Sequence, residues 1–438
     1  MTDRRDTYGS AVPKGRLSRL GRFGRLAAGT AGEALGNSVQ ALARGETLDA
    51  SRLILTPSNA RRLADELAHL RGAAMKMGQM LSMDAGDLLP RELTEVLARL
   101  RDSAQPMPPH QLKRVLTRNW GPDWLRRFER FDARPMAAAS IGQVHRGRTK
   151  DGRDLAIKVQ YPGVRESIDS DVDNLASLIA LSGLAPKGLD LKPMLEEVKR
   201  QLRDEADYAR EGEMMTRFGD WLDGSEAFVT PHLAKDLTTQ NVLAMSYLPG
   251  DPIETLTEAP AETRERVITQ LAELTLREVF EFGAIQSDPN FANYRFQPDT
   301  ERVGLLDFGA VQDIPEPVRQ AGQRLLIAGL NEDLTEREQA LTELGFLSDT
   351  TPGDQRALVL ELTELALAPL FAEDAFDFDA SALVLPLREG GLKLRAMGYA
   401  RTPEPMAVFI QRKVAGLYLM GARLKARLHI RPLLERFV

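Results

Sequence analysis

The chain has 438 residues, with 57 Lys and Arg against 63 Asp and Glu, and a formal net charge of −6. This acidic balance argues against a nucleic-acid-binding protein, whose surface would be basic. The absence of cysteine excludes disulfides, thiolate catalysis and cysteine-ligated zinc. The longest uncharged run, residues 237–250, is too short to cross a bilayer. We therefore expect a cytoplasmic protein that is soluble or contacts a membrane only peripherally.

Residues 1–50 are predicted to form a basic arm. Leucine and phenylalanine side chains at 17, 20, 23 and 26 interleave with its arginines. This pattern is typical of an amphipathic segment that contacts anionic lipid. A disordered or loosely docked arm is an equally good interpretation. Both alternatives stay open.

Residues 51–134 are predicted to form a helical extension. From Pro57 to Met83 an apolar residue recurs every three or four positions, which predicts a long amphipathic helix. Lys76 and Gln79 lie on a different face of that helix and, taken alone, would be its solvated side. Residues 87–134 also read as helical, with breaks at 106–109 and 121–122, where prolines and a glycine occur.

A predicted pair of strands follows, joined by a turn at Asp151-Gly152. Beyond the turn, apolar residues at 155, 157 and 159 alternate with Ala156 and Lys158, the period of a half-buried strand. A kinase third strand carries Val-Ala-Ile-Lys, whose lysine holds the α and β phosphates. An isolated Ala-Ile-Lys strand is common, and residues 137–139, all alanine, predict a helix end by propensity alone.

The segments after the strand pair are mostly helical by pattern. We predict helices over 166–184, from Pro193 through residue 211, and over 263–282 with an end at Gly283. Residues 241–250 predict a strand that runs into a turn. Beyond residue 313 the chain is almost wholly helical, with loops indicated at 351–353 and 389–391.

Three polar residues further along the chain match, in type and order, residues that kinases use for phosphoryl transfer. Asp288 and Asn293 have the Asp-x-x-x-x-Asn spacing of a kinase catalytic loop, and Asp307 opens an Asp-Phe-Gly triplet further on. Such residues suit chemistry that depends on positioning and on neutralising charge. The five histidines form no metal-binding cluster, so oxygen ligands would hold any metal, which suits Mg²⁺. The pattern predicts that Asn293 and Asp307 hold Mg²⁺, that Lys158 orients the phosphates of ATP, and that Asp288 lies near the γ phosphate.

Five motifs together resemble the UbiB (AarF/UbiB-type) family of atypical protein-kinase-like proteins, from about residue 50 to the C-terminus. They are Lys76-Met77-Gly78-Gln79, the alanine-rich loop from Ala137 to His145, Glu205-Ala206-Asp207-Tyr208 with Glu211, Asp288 to Asn293, and Asp307-Phe308-Gly309. The resemblance implies an α+β, two-lobed protein-kinase-like fold with a helix-rich C-terminal lobe. We expect four segments: the arm (1–50), the extension with the Lys-x-Gly-Gln motif (51–134), the N-lobe (135–250) and the C-lobe (251–438).

The resemblance also implies roles for individual residues. Lys158 and Glu211 would form the ion pair, and Asp288 would be the catalytic aspartate. Lys76 and Gln79 would form a lid over the nucleotide pocket. Glu205 and Asp207 would lie beside that lid. The residues expected to contact ATP, besides Lys158, are Ala137, Ala138, Ala139 and Ser140 of the loop and Met245, Ser246, Tyr247 and Leu248 of the hinge.

The chain departs from the family pattern His-x-Asp-Pro-His-Pro-Gly-Asn, because it has Gln286, Asn290, Phe291 and Ala292 around Asp288 and Asn293. The hinge acid of many relatives is Ser246 here, and their membrane anchors are not expected. The function implied is that of a Mg²⁺-dependent, ATP-binding atypical kinase or ATPase in isoprenoid quinone (ubiquinone) or lipid metabolism, whose further partner would be an isoprenoid lipid or quinone precursor. A small-molecule phosphotransferase and a nucleotide-binding pseudokinase scaffold remain alternatives.

Overall fold

The fold is described by a computed structural model for residues 106–139, 141–181, 192–379, 383–401 and 403–438. The predicted arm, the long helix with Lys76 and Gln79, and Ser140 lie outside these described residues. The described chain divides into two compact units. One contains the residues up to Thr216 together with His232–Tyr247, and the other contains Arg217–Pro231 and Leu248–Val438.

Eleven helices and thirteen strands are assigned within the described ranges. The helices are α1 (Pro109–Trp120), α2 (Val164–Leu181), α3 (Lys192–Glu205), α4 (Tyr208–Trp221), α5 (Ala261–Arg277), α6 (Glu316–Leu330), α7 (Leu334–Glu343), α8 (Gly353–Phe371), α9 (Val384–Ala396), α10 (Pro405–Leu424) and α11 (Arg431–Leu434). The strands are β1 (Phe128–Phe131), β2 (Ala137–Ala138), β3 (Gly142–Thr149), β4 (Asp154–Gln160), β5 (Phe228–Val229), β6 (Val242–Ser246), β7 (Asp251–Pro252), β8 (Ala284–Gln286), β9 (Tyr294–Gln297), β10 (Arg302–Leu305), β11 (Val311–Asp313), β12 (Phe376–Asp377) and β13 (Arg427–Leu428).

The first unit is built on an antiparallel sheet in the order β1-β3-β4-β6, with β2 paired to the edge of β3. The predicted hairpin is confirmed, since β3 and β4 pair from Gly142–Gln160 to Arg148–Asp154. The apolar side chains of β4 are buried against those of α1. Because side chains alternate along a strand, Ala156 and Lys158 lie on the opposite face of the sheet.

Two helical predictions in this unit are wrong. Residues 128–131 form β1 instead of continuing the helical extension, and Ala137–Ala138 form β2 instead of a helix end. In both places hydrogen bonding to β3 outweighs local helix propensity, which is a weak preference.

The helix predicted from Pro193 through residue 211 is also two helices, α3 and α4, which are separated at Ala206-Asp207. Asp207 explains the break. Its Oδ1 accepts a hydrogen bond from the backbone N–H of Arg210 at 3.1 Å, and its carbonyl accepts one from Glu211. An aspartate in this position caps a new helix N-terminus.

The second unit is rich in helices and holds two small sheets that carry the polar motifs. The strand order of the larger sheet is β5-β10-β9-β7, and β8 pairs with β11 as an antiparallel ribbon. The helix predicted over 263–282 is confirmed as α5 followed by a π-helical turn, Glu278–Phe282, which ends at Gly283 with φ of 61°. The predicted α+β class with a helix-rich C-terminal lobe is therefore confirmed.

The prediction of a loop at residues 389–391 is wrong, because Gly390 and Gly391 both lie inside α9. A Cβ at Gly390 would be 2.2 Å from Cδ2 of Leu362 on α8. The glycine therefore serves close packing between two helices, a requirement that a turn signal in the sequence does not reveal. Over the described part of the chain, none of the helices has the length and apolar character to span a bilayer.

A buried histidine is expected to make the stability of the first unit sensitive to pH. The Nδ1 of His145 donates to the carbonyl oxygen of Asp132 and its Nε2 accepts from Gln143 Nε2, both at 2.8 Å. Gln143 Oε1 in turn accepts from the backbone N–H of Met107 at 2.7 Å. One ring nitrogen donates and the other accepts, so the ring is neutral. Burial lowers the pKa of His145 below its ordinary value.

We expect the free energy of unfolding to fall as pH drops below about 6.5, because the unfolded chain binds a proton more readily than the folded ring does. This one group contributes a slope of up to about 1.4 kcal/mol per pH unit. Urea unfolding of the wild type and of His145→Asn, measured between about pH 7 and about pH 5, isolates that slope. Equal slopes in the two proteins would contradict the expectation, whatever their absolute stabilities.

Candidate functional site

The first unit brings Lys158 and Glu211 together. Lys158 lies on β4, and its Nζ is 2.9 and 3.0 Å from the two carboxylate oxygens of Glu211, in the first turn of α4. The side chains are 11% and 1% exposed. Nζ also lies 5.2 Å from the ring centre of Tyr208. Two charges removed from water in this way are stable only as a pair, so each holds the other in place.

The alanine-rich segment lies at the edge of the same sheet. After β2, the backbone N–H of Ala139 donates to the carbonyl oxygen of Gly142 at 2.9 Å and closes a turn. A Cβ at residue 142 would be 2.6 Å from the carbonyl oxygen of Val159 and 2.7 Å from the hydroxyl of Tyr208. Only glycine permits this approach of β3 to β4 and α4.

The predicted hinge residues lie at the end of β6 and directly after it. Met245 is paired with Ala156 of β4. Ser246 and His232 exchange two hydrogen bonds, since the N–H of Ser246 donates to the carbonyl of His232, and the Oγ of Ser246 accepts from its N–H. Tyr247 is covered by the guanidinium of Arg146 at 3.9 Å. The two hydrogen bonds of Ser246 therefore fix the hinge backbone. Leu248 belongs to the second unit.

The second unit brings together Asp288, Asn293 and Asp307. Nδ2 of Asn293 donates to the carbonyl of Asp288 at 3.1 Å, and the carbonyl of Asn293 accepts from the N–H of Leu306 at 3.0 Å. The loop that begins with Asp288 is thus tied to the strand that leads into Asp307. With Nδ2 bonded to the backbone, Oδ1 of Asn293 is the atom suited to a metal.

Gln286, one of the departures from the family pattern, bridges the two polar motifs. Its Oε1 accepts from the N–H of Asp288 at 2.9 Å, and its Nε2 donates to the carbonyl of Asp307 at 3.4 Å. Another departure, Asn290, caps the short turn that leads to Asn293, because its side chain accepts from the N–H of Ala292. The altered loop therefore has its own set of hydrogen bonds.

Asp307 and the residues after it form a tight turn. Its Oδ1 accepts from the N–H of Gly309 at 2.9 Å. Phe308 is buried, and its ring packs 5.3 Å from that of Phe218. A carboxylate has enough lone pairs to accept this bond and still bind a cation.

Sequence reasoning missed a buried charge cluster behind these residues. Nζ of Lys413, on α10, lies 3.2 Å from both carboxylate oxygens of Glu278 and 3.5 Å from the hydroxyl of Tyr294. Burial raises the pKa of Glu278. Burial alone would lower the pKa of Lys413, but the charges and hydrogen bonds of Glu278 and Tyr294 together outweigh burial, and the pKa is raised. The only sequence signal was a lysine within an apolar helix.

These groups surround one narrow cavity of the second unit. Its lining residues are Phe218, Leu274, Glu278, Gln286, Asn293, Tyr294, Leu305, Asp307, Phe308 and Lys413. The described residues contain no cluster of three or more His, Cys, Asp or Glu side chains that could hold a metal. Asn293 and Asp307 fit Mg²⁺, which takes one or two protein oxygen ligands and completes its shell with water and phosphate.

Glu205 and Asp207 lie at the end of α3 and just before α4. Asp207 caps α4, and its Oδ2 is 3.7 Å from a guanidinium nitrogen of Arg165. Their predicted partners Lys76 and Gln79, and Ser140 of the loop, are outside the described residues. The lid therefore stays a prediction.

A sheet with a buried lysine–glutamate pair and a helix-rich unit with the Asp288, Asn293 and Asp307 motifs define a protein-kinase-like protein. The chain belongs to the ABC1 atypical kinase-like family, whose domain model matches residues 99–341. The predicted family resemblance is thereby confirmed.

Two curated relatives extend the match over nearly the whole chain. The chain is 34% identical over 437 residues to the mitochondrial atypical kinase COQ8 of Saccharomyces cerevisiae. The aligned region covers 99% of this chain and 87% of that protein. It is 35% identical over 426 residues to the mitochondrial atypical kinase COQ8B of Rattus norvegicus, and the aligned region covers 97% of this chain and 80% of that protein. The solved structure of Rv3197 from Mycobacterium tuberculosis, a complex with erythromycin, matches with a TM-score of 0.59 and 25% identity, over 87% of this chain and 96% of that one.

Proposed function

We propose that this chain is a Mg²⁺-dependent ATPase or phosphotransferase of the atypical kinase type. The observation that carries the proposal is the buried ion pair of Lys158 and Glu211, because a kinase needs this pair in place to hold the α and β phosphates. Asn293 and Asp307 would hold Mg²⁺, which neutralises phosphate charge when bound.

Asp288 would orient or deprotonate the acceptor of the γ phosphate. Its main-chain N–H and C=O are both hydrogen-bonded within the loop, to Gln286 and Asn293. A backbone fixed in this way supports a role in positioning, which phosphoryl transfer requires more than covalent chemistry.

The alanine-rich loop, Ala137 to Ser140, and the hinge, Met245 to Leu248, would contact the nucleotide. Alanine keeps a Cβ that glycine lacks, so this loop should be stiffer than a glycine-rich phosphate loop. Lys76 and Gln79 would cover the nucleotide beside Glu205 and Asp207.

The biological role we propose is in isoprenoid quinone (ubiquinone) or lipid metabolism, with an isoprenoid lipid or quinone precursor as the further partner. Its support is the similarity to COQ8 proteins over almost the full chain. Those relatives are mitochondrial proteins by name. Any membrane contact of this chain would be peripheral, through the basic arm or the C-terminal helix around Leu417 to Leu424.

A nucleotide-binding scaffold without turnover is the second candidate. The observation that favours it is the altered loop around Asp288, where Gln286, Asn290, Phe291 and Ala292 replace the family's usual residues. A small-molecule phosphotransferase would share the Asp, Asn and Asp set, but the Lys-x-Gly-Gln motif and the alanine-rich loop disfavour it.

A thermal-shift titration with ATP, with and without Mg²⁺, tests the proposed function. We expect Mg²⁺ and ATP together to raise the Tm, because a ligand at about 100 times its Kd stabilises the folded state by about 2.7 kcal/mol. Asp307→Asn should lose most of the Mg²⁺-dependent part of the rise in Tm. Asp349→Asn should behave as the wild type, because Asp349 is an exposed residue before α8. No shift under either condition would refute the proposal.

A further inference from the structure

Helix α10 lies outside the residues 99–341 that the family model matches. Two of its residues nevertheless connect to the segment that carries Asp288, Lys413 through Glu278 and Gly416 directly at Pro289. Lys413 and Gly416 are three positions apart and therefore lie on the same face of the helix. Both are buried.

The first contact is a chain of polar groups. Lys413 is paired with Glu278, and Oε2 of Glu278 accepts from the backbone N–H of Gln286 at 3.3 Å. The side chain of Gln286 then bonds the N–H of Asp288 and the carbonyl of Asp307. The buried pair of Lys413 and Glu278 thus fixes Gln286, which bridges the motifs of Asp288 and Asp307. These five residues all lie in the second unit.

The second contact is steric. A Cβ at residue 416 would be 2.1 Å from Cβ and 2.3 Å from Cγ of Pro289. Pro289 directly follows Asp288, and its ring cannot rotate out of the way because it is closed onto the backbone. The helix therefore touches the loop with no space for even one methyl group.

We propose that α10 is a positioning element of the site: Lys413, through Glu278 and Gln286, and Gly416, through Pro289, hold Asp288, Asn293 and Asp307 in the geometry that binds Mg²⁺ and transfers phosphate. The inference rests on the proposed function and adds to it residues from the far end of the chain. Outer groups that orient metal ligands typically affect metal affinity or activity by about 10- to 100-fold.

Gly416→Ala tests the steric contact against a matched control on the same helix. A Cβ at Gly421 would be 2.7 Å from Cγ of Phe378, a clash that is milder than the one at Gly416 and lies against a different part of the unit. Both variants should lose stability. Only Gly416→Ala should raise the Mg²⁺ concentration for half-maximal ATP turnover, or lower kcat, by about tenfold or more, with a smaller change in the KM for ATP.

The polar contact is tested with Lys413→Met, Glu278→Gln and the double variant. Each single change leaves one buried group without its charged partner, so the Tm should fall. The double variant is neutral and should recover much of the Tm. The Mg²⁺ concentration for half-saturation of the double variant should stay raised by about tenfold, because the side chain at position 278 no longer has a lysine to orient it.

The outcomes separate the two proposals. If the Tm and Mg²⁺ half-saturation recover together in the double variant, or if Gly416→Ala and Gly421→Ala have the same Mg²⁺ dependence, α10 only stabilises the fold and the inference is wrong. A wild-type chain with no Mg²⁺-dependent ATP binding or turnover would refute the proposed function and the inference with it.

Discussion

Asp288→Asn is expected to lower phosphate release from ATP and Mg²⁺ by roughly 10²- to 10⁴-fold, the usual contribution of a positioned acid or base. The change removes the carboxylate but leaves the backbone contacts to Gln286 and Asn293 unaltered. Nucleotide binding, measured by thermal shift, should therefore persist while turnover is lost.

Asp299→Asn is the control for this prediction, since Asp299 is an exposed carboxylate in the turn after β9. It should release phosphate at the wild-type rate. Equal, background-level rates in the wild type and in Asp288→Asn, with nucleotide binding intact in both, would favour the scaffold over the enzyme.

Lys158→Met is expected to have the largest effect on stability, lowering the free energy of unfolding by about 3–5 kcal/mol, because it removes the positive charge that neutralises the buried carboxylate of Glu211. It should also abolish stabilisation by ATP. In the double variant Lys158→Met/Glu211→Leu the buried charge is gone, so stability should recover while ATP binding does not.

The pair of Arg153 and Asp236 provides the contrast in the same unit. These side chains are 39% and 59% exposed, and an exposed ion pair contributes at most about 1 kcal/mol. Arg153→Met should therefore have little effect on urea unfolding and none on ATP binding. A similar loss of stability from both substitutions would contradict the assignment of Lys158 and Glu211 as a buried functional pair.

Features with a local signal could be predicted from the sequence. The period of two around Leu155, Ile157 and Val159 and the turn at Asp151-Gly152 predicted the β3–β4 hairpin. The glycine at 283 predicted the end of the helix before it, and the family motifs predicted that Lys158 pairs with Glu211. In each case the pattern is set by neighbouring residues or by a motif with fixed order.

Other features were wrong or missed because distant residues decide them. The alanines at 137 and 138 form a strand because β3 supplies hydrogen-bonding partners. The break in the helix through residue 211 is the exception, because it depends on a local cap, the side chain of Asp207. The glycine at 390 lies within a helix because Leu362 packs against it.

The sequence alone therefore determined the class of protein, the strand with Lys158 and the order of the polar motifs. Only the tertiary structure decided what supports those motifs, since Glu278 and Lys413 are 135 positions apart and their pairing leaves no periodic trace. A buried charge must find its partner wherever the fold brings one, because leaving it unpaired in the protein interior costs several kcal/mol.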